Sequence, residues 1–101
     1  MAKRLKVLIV DDHPIIIEGY KSTLQSCEFN LLLHTANTVD SALHQINQAE
    51  KCFDIIILDI KIPASKDGRI ISGEDLGVRI RQIAPGSKLI VLTMFNEKYR
   101  L

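Results

Sequence analysis

Hydrophobic positions along this chain fall into two kinds of run, and the two alternate. Leu5, Val7, Leu8, Ile9 and Val10 form a nearly continuous apolar stretch that predicts a strand buried on both faces, and it stops at Asp11 and Asp12. Pro14 then suits the first turn of a helix, and Ile16, Tyr20 and Leu24 recur at i, i+4 and i+8, which predicts a helix over 14–26. A short apolar run at 29–36 (FNLLLHTA), bracketed by Asn30 and Asn37, predicts a second strand. After Thr38, a residue suited to capping, Val39, Ala42, Leu43, Ile46 and Ala49 keep helical spacing to about Lys51. The segment FDIIILDI repeats the opening pattern, with Ile55, Ile56, Ile57 and Leu58 running into a carboxylate, Asp59. A Pro-, Ser- and Gly-containing stretch (IPASKDGRIISGE) predicts a loop. Ser72 and Asp75 then approximate a capping box ahead of Leu76, Ile80 and Ile83, and Pro85 and Gly86 end that helix. A fourth strand, SKLIVLTMF, breaks at Thr93, and Asn96 has the character of a cap for a further helix.

Strands without a polar face, separated by amphipathic helices, imply a parallel sheet covered on both sides and joined by right-handed crossovers. At 101 residues the chain is one α/β domain at most. Thirteen Lys and Arg against twelve Asp and Glu leave a net charge of +1, so no global field draws it to nucleic acid or to an anionic membrane. No apolar run approaches the roughly 18 to 20 residues of a membrane span. The basic start (Lys3, Arg4, Lys6) is followed by too short an apolar stretch for an export signal. Cys27 and Cys52 show no metal-ligand spacing and are expected as free thiols.

In an open α/β sheet, ligands bind beyond the carboxyl ends of the strands. Asp11 and Asp12, Asp59 and Thr93 stand at three such ends and face one crevice if those strands are neighbours. Two carboxylates about 5 Å apart repel by roughly 3 kcal/mol at an effective dielectric near 20, so the cluster needs a compensating cation or must hold protons, and a hard cation is the simpler answer. Mg2+ fits, since it takes oxygen ligands and commonly sits on one or two carboxylates together with phosphate oxygens. A carboxylate is also a competent nucleophile toward phosphorus, and a hydroxyl such as that of Thr93 could bond the new phosphoryl oxygens. Metal and nucleophile together point to phosphoryl transfer. His13, His34 and His44 share no metal-triad spacing and read as ordinary surface or packing residues. The glycines form neither nucleotide-binding fingerprint.

The segments VLIVDDHP, IIILDIKIP and LIVLTMF resemble, in order and spacing, the acidic pair, the phosphoacceptor strand and the switch-threonine strand of bacterial response-regulator receiver domains. DDHP is similar to the subgroup whose receivers are joined to a helix-turn-helix DNA-binding domain. The resemblance covers almost the whole chain. It implies a flavodoxin-like three-layer α/β sandwich with strand order 2-1-3-4, the fifth strand being absent from this chain, and a cytoplasmic protein. It makes Asp59 the residue phosphorylated by a sensor histidine kinase and Thr93 the switch hydroxyl. It makes Asp11, Asp12, Asp59 and the main-chain carbonyl of Lys61 the Mg2+ ligands, Asp11 through water. On this reading the protein assists only its own phosphorylation and dephosphorylation and is not an enzyme acting on an external substrate.

Two departures from the family pattern stand out. Receivers carry a Lys and an aromatic residue on a fifth strand; neither Lys88 nor Lys98 takes that place, and the chain is expected to be a receiver domain over 1–101, incomplete at its C-terminus. The fourth strand is then an exposed apolar edge that favours a homodimer or a domain swap. The loop from Asp59 to Gly73 is also roughly half a dozen residues longer than the pattern, with ASKDGRI as the insertion. Two other readings stay open: a receiver-like binding module that is never phosphorylated, and an aspartate-nucleophile phosphatase, which would ordinarily show Asp-x-Asp where this chain has Asp-Asp. No contact with nucleic acid or membrane is expected from this domain itself.

Overall fold

A computed structural model of the chain describes residues 4–92. In order, they form β1 (Leu5–Val10), α1 (Pro14–Gln25), β2 (Leu31–Ala36), α2 (Val39–Gln48), β3 (Ile55–Asp59), α3 (Gly73–Ile83) and β4 (Lys88–Leu92). The strands make one sheet in the order β2-β1-β3-β4, and every pairing is parallel. This is the flavodoxin-like α/β arrangement expected from the alternation of runs. Thr93 and Asn96 lie outside the described residues.

The pleat divides each apolar strand between two layers. Leu8, Val10, Ile56 and Leu58 pack with Val39, Ala42, Leu76 and Ile80 beneath α2 and α3. Val7 and Ile9 join Ile17, with Tyr20 and Leu24, beneath α1. From Val7 onward β1 buries both faces, while β3 buries the face with Ile56 and Leu58 and half-buries the one with Ile55 and Ile57. On the α1 side the cover stops at β1 and β2. Ile57, Ile90 and Leu92 of β3 and β4 line a groove of about 770 Å3 beside Ile15, Ile16 and Tyr20.

Helix boundaries follow local chemistry. Pro14 opens α1, and His13 is its extended N-cap. Thr38 Oγ1 accepts from the Ser41 amide at 3.0 Å to start α2. At α3, Ser72 Oγ accepts from the Asp75 amide (3.2 Å), while Asp75 Oδ2 reaches back one residue past the cap, to the Ile71 amide (3.2 Å). Three predicted limits shift inward. Helix α1 ends at Gln25, one residue short of the prediction. The second strand begins at Leu31, because the Leu5 amide already bonds the Asn30 carbonyl and fixes the register there. Phe29 is consequently outside the sheet and 72% exposed. Helix α2 stops at Gln48, where Ala49 turns extended (ψ 124°).

Gly73 sits where the β3–α3 loop closes. Its amide donates to the Ile60 carbonyl at 3.2 Å, and a Cβ at this position would collide with that carbonyl. Gly19, in the middle of α1, has open space where a Cβ would go. Gly73→Ala is therefore expected to destabilise the chain by about 1–3 kcal/mol. Gly19→Ala should stabilise it by about 0.5–1 kcal/mol. Urea denaturation of the two variants beside the parent checks both signs.

Candidate functional site

Strands β1 and β3 pair in register up to Val10 with Leu58. One step further, the two chains deliver Asp11 and Asp59 to the same end of the sheet, with Asp12 beside them. The ladder continues past both strands: the Asp11 amide donates to Ala36 (3.0 Å) and the Ile60 amide to Leu92 (3.1 Å). Asp11 is only 4% exposed and Asp59 only 8%. The three carboxylates predicted to share a crevice are thus brought together, and one ligand atom from each lies within 4.8 Å of the others.

Each carboxylate has a definite role for its oxygens. Asp11 Oδ1 accepts from the backbone amide of His13 (2.9 Å), a turn two residues long that leads into α1. Asp59 Oδ1 accepts from the Lys61 amide (3.1 Å) in the same way, leaving Oδ2 turned toward the cluster. Asp12 Oδ1 is shielded from water and accepts no hydrogen bond. A buried carboxylate oxygen without a donor is unfavourable. The His13 ring nitrogen 3.1 Å away answers part of its charge, and an oxygen-ligated cation would satisfy the rest; the carboxylate donor set fits Mg2+. Lys61 enters the site through its amide.

His13, expected as an ordinary surface or packing residue, is a surface residue whose ring also reaches the acidic cluster. Its Nδ1 lies 2.9 Å from Asp11 Oδ1, 3.1 Å from Asp12 Oδ1 and 3.9 Å from Asp59 Oδ2. Hydrogen bonding to Asp11 holds its pKa above the ordinary histidine value, and the charges of Asp12, Asp11 and Asp59 add to this against a smaller opposing effect of desolvation. Tyr20 registers the same negative field: burial raises its hydroxyl pKa first, and the Asp11 and Asp59 charges raise it further. Two sequence features could have pointed to His13, its place directly after the acidic pair and its place before a helix-opening Pro. His34 does behave as packing, edge-on to Phe53 with ring centroids 5.4 Å apart.

The loop between β3 and α3 closes on itself as a turn. The Ser65 amide and the Ile70 carbonyl bond at 2.8 Å, and Ser65 Oγ accepts from the Ile70 amide (3.1 Å) while donating to Asp67 Oδ1 (2.7 Å). Asp67 Oδ1 also accepts from the Arg69 amide (3.0 Å), and Gly68 takes the left-handed conformation (φ 74°) that the turn requires. The Lys66 amide fastens the turn to Asp40 Oδ2 in the first turn of α2 (3.1 Å).

Comparison with known proteins agrees with this geometry. The family model described as response regulator receiver domain matches residues 7–100. The oxygen regulatory protein NreC of Staphylococcus epidermidis is 27% identical over 94 residues, covering 93% of this chain and 40% of that protein. The transcriptional regulatory protein ComA of Bacillus subtilis is 30% identical over 91 residues, covering 90% and 40%. The chain therefore spans about 40% of the length of these relatives. Among solved structures, the response regulator TrrA of Thermotoga maritima in complex with Mg2+ and BeF superposes with a TM-score of 0.74 at 30% identity, covering 95% of this chain and 75% of that one. RcsB of Salmonella enterica, bound to the promoter rprA in the presence of phosphomimetic BeF3−, gives a TM-score of 0.75 at 28% identity, covering 91% and 71%.

The Arg69 amide and, after it, the Ser65 hydroxyl hold the Asp67 carboxyl below the ordinary aspartate range. A depressed carboxylate contributes stability above its unfolded pKa and loses it as pH falls through its folded value. The turn should accordingly keep the Arg69 amide bonded to Asp67 through the ordinary aspartate range and release it only below that range. Carbon-13 titration of the Asp67 carboxyl should give a depressed midpoint that moves upward in Ser65→Ala.

Proposed function

This chain belongs to the response regulator receiver domain family, and on that premise we propose that it receives a phosphoryl group on Asp59 from a sensor histidine kinase in a Mg2+-dependent reaction. The observation that carries the reading is the convergence of Asp11, Asp12 and Asp59 at the ends of two adjacent parallel strands, with one Asp59 oxygen tied to a backbone amide and the other left free. Asp11, Asp12, Asp59 and the Lys61 carbonyl would hold the ion, which when bound would offset the negative charge gathered on the transferring phosphoryl oxygens.

The chain's own part is that of a positioned nucleophile. The Lys61 amide fixes the Asp59 carboxylate against rotation, and the sheet end keeps it largely out of water. An Asp59 oxygen attacks phosphorus in line, the new O–P bond forms as the P–N bond of the phosphohistidine breaks, and the electron pair returns to the kinase imidazole, which takes up a proton. Thr93, one residue past β4, is proposed as the hydroxyl that bonds the transferred group. The carboxylate is consumed rather than regenerated within one transfer, so the chain is a phosphoacceptor that assists its own modification, and not a turnover enzyme. Its relatives support a role in transcription control exerted through a DNA-binding output region.

A second copy of the chain is proposed as a partner through β4. Among the described residues no strand pairs with its outer side, and Ile90, beside the open groove, and Val91, on the opposite face, are 37% and 42% exposed.

Intact-mass analysis after incubation with Mg2+ and a small phosphodonor should give a single phosphoryl adduct, lost on removing Mg2+ and lost in Asp59→Asn. An adduct that survives in Asp59→Asn would overturn the assignment. Light scattering on size-exclusion chromatography should give a dimer mass that shifts toward monomer in Val91→Lys; a parent chain that elutes as monomer would remove the β4 partner.

A further inference from the structure

We propose that the hollow between α2, the β3–α3 loop and α3 binds a free amino acid with an apolar side chain: Arg79 holds its carboxylate, Asp40 its ammonium, and Leu43 and Ile70 its side chain. The hollow has a volume of about 410 Å3. Small-molecule sites occupy about 300–1,000 Å3. None of Asp11, Asp12 and Asp59 lines it, so it is separate from the phosphoacceptor site.

The charges around the hollow do not cancel in place. Two carboxylates and two guanidiniums line it, from Asp40, Asp67, Arg69 and Arg79. Asp67 and Arg69 answer each other: Arg69 Nε is 3.8 Å from Asp67 Oδ2, and Asp67 Oδ1 takes the Arg69 amide and the Ser65 hydroxyl. Asp40 and Arg79 remain. Asp40 gives Oδ2 to the Lys66 amide (3.1 Å), and Arg79 Nη1 donates to Gln82 Oε1 at 3.4 Å. Among the described residues, these opposite charges stand on two walls of one hollow without forming an ion pair with each other or with another side chain. A guanidinium fork holds a carboxylate through two parallel hydrogen bonds, and a carboxylate oxygen accepts from an ammonium. A zwitterion therefore bridges the two walls, whereas a ligand with one charge leaves a wall unanswered.

The apolar part of the hollow is fixed by the fold. Leu43 and Ile70 are half-buried and pack against the core beneath α2 and α3. Ile70 is held through both of its backbone groups, its amide donating to Ser65 Oγ (3.1 Å) and its carbonyl accepting from the Ser65 amide (2.8 Å). The Lys66 bond to Asp40 ties that loop to α2, so the walls are set before a ligand arrives, which lowers the cost of binding. Asp40 and Arg79 are exposed and meet the ligand's charged end at the rim.

The test is a chemical-shift titration of the full, isotope-labelled chain with L-leucine, leucinamide and N-acetyl-leucine, for the parent, Asp40→Asn and Arg79→Gln. Asparagine keeps an oxygen for the Lys66 amide, and circular dichroism checks folding; the two leucine derivatives, each lacking one charge, test the parent without any substitution. We expect L-leucine to give saturable shifts at the Leu43, Ile70 and Arg79 amides with millimolar affinity. Loss of either charge, from the protein or from the ligand, should weaken binding by about tenfold or more. Absence of saturable shifts with L-leucine overturns the inference. So does binding of leucinamide or N-acetyl-leucine as tight as that of L-leucine, or unchanged affinity in a folded variant. Because Asp59 takes no part, each of these failures leaves the phosphoacceptor reading standing.

Discussion

Parallel pairing of β1 with β3 is the constraint on which the rest of the molecule turns. Their paired stretches, Val7–Val10 and Ile55–Leu58, are wholly apolar, and the carboxylates stand at the ends of those stretches. Because they run the same way and in register, those ends coincide. The carboxylates of Asp11, Asp12 and Asp59 are neighbours as a consequence of backbone hydrogen bonding several residues away, in a ladder that runs from Val7 with Ile55 to Val10 with Leu58.

Such a cluster opposes folding unless its charge is answered. At an effective dielectric near 20, two carboxylates within 5 Å repel by about 3 kcal/mol. Backbone amides answer part of it, at Asp11 from His13 and at Asp59 from Lys61, and hydrogen bonds to charged groups contribute roughly 1.5–3 kcal/mol each. The imidazole of His13 lies against the rest. Folding and readiness for a cation are therefore in tension at one spot, and the local turns after each strand ease that tension without filling the site.

Much of this was legible in the sequence because burial on two faces leaves an unmistakable signature. The apolar runs located β1 and β3, the helical spacings located α1 to α3, and the acids at the strand ends identified the crevice. What escaped was set by short-range geometry. His13 has no motif of its own; it joins the site because a turn at Asp11 and the start of α1 aim its ring there. Phe29 looked like strand because it is apolar, but the register with β1 begins only at Leu31. The segment between β3 and α3 reads as loop, and the bonds that close it run from Ser65 and Asp67 to backbone amides that hydrophobic pattern cannot reveal. The Asp67-Gly68 pair was the available hint of a turn.

The contact between Gly73 and Ile60 reaches beyond stability. It pins the two ends of the β3–α3 excursion to each other, so the residues between Lys61 and Ser72 form a loop whose base is fixed independently of its length. Chain can be added or removed there for a logarithmically small entropic penalty and without displacing either Asp59 or α3. That leaves this loop free to vary without disturbing the sheet or α3. The loop can therefore change in length and content while the carboxylates of Asp11, Asp12 and Asp59 keep their places.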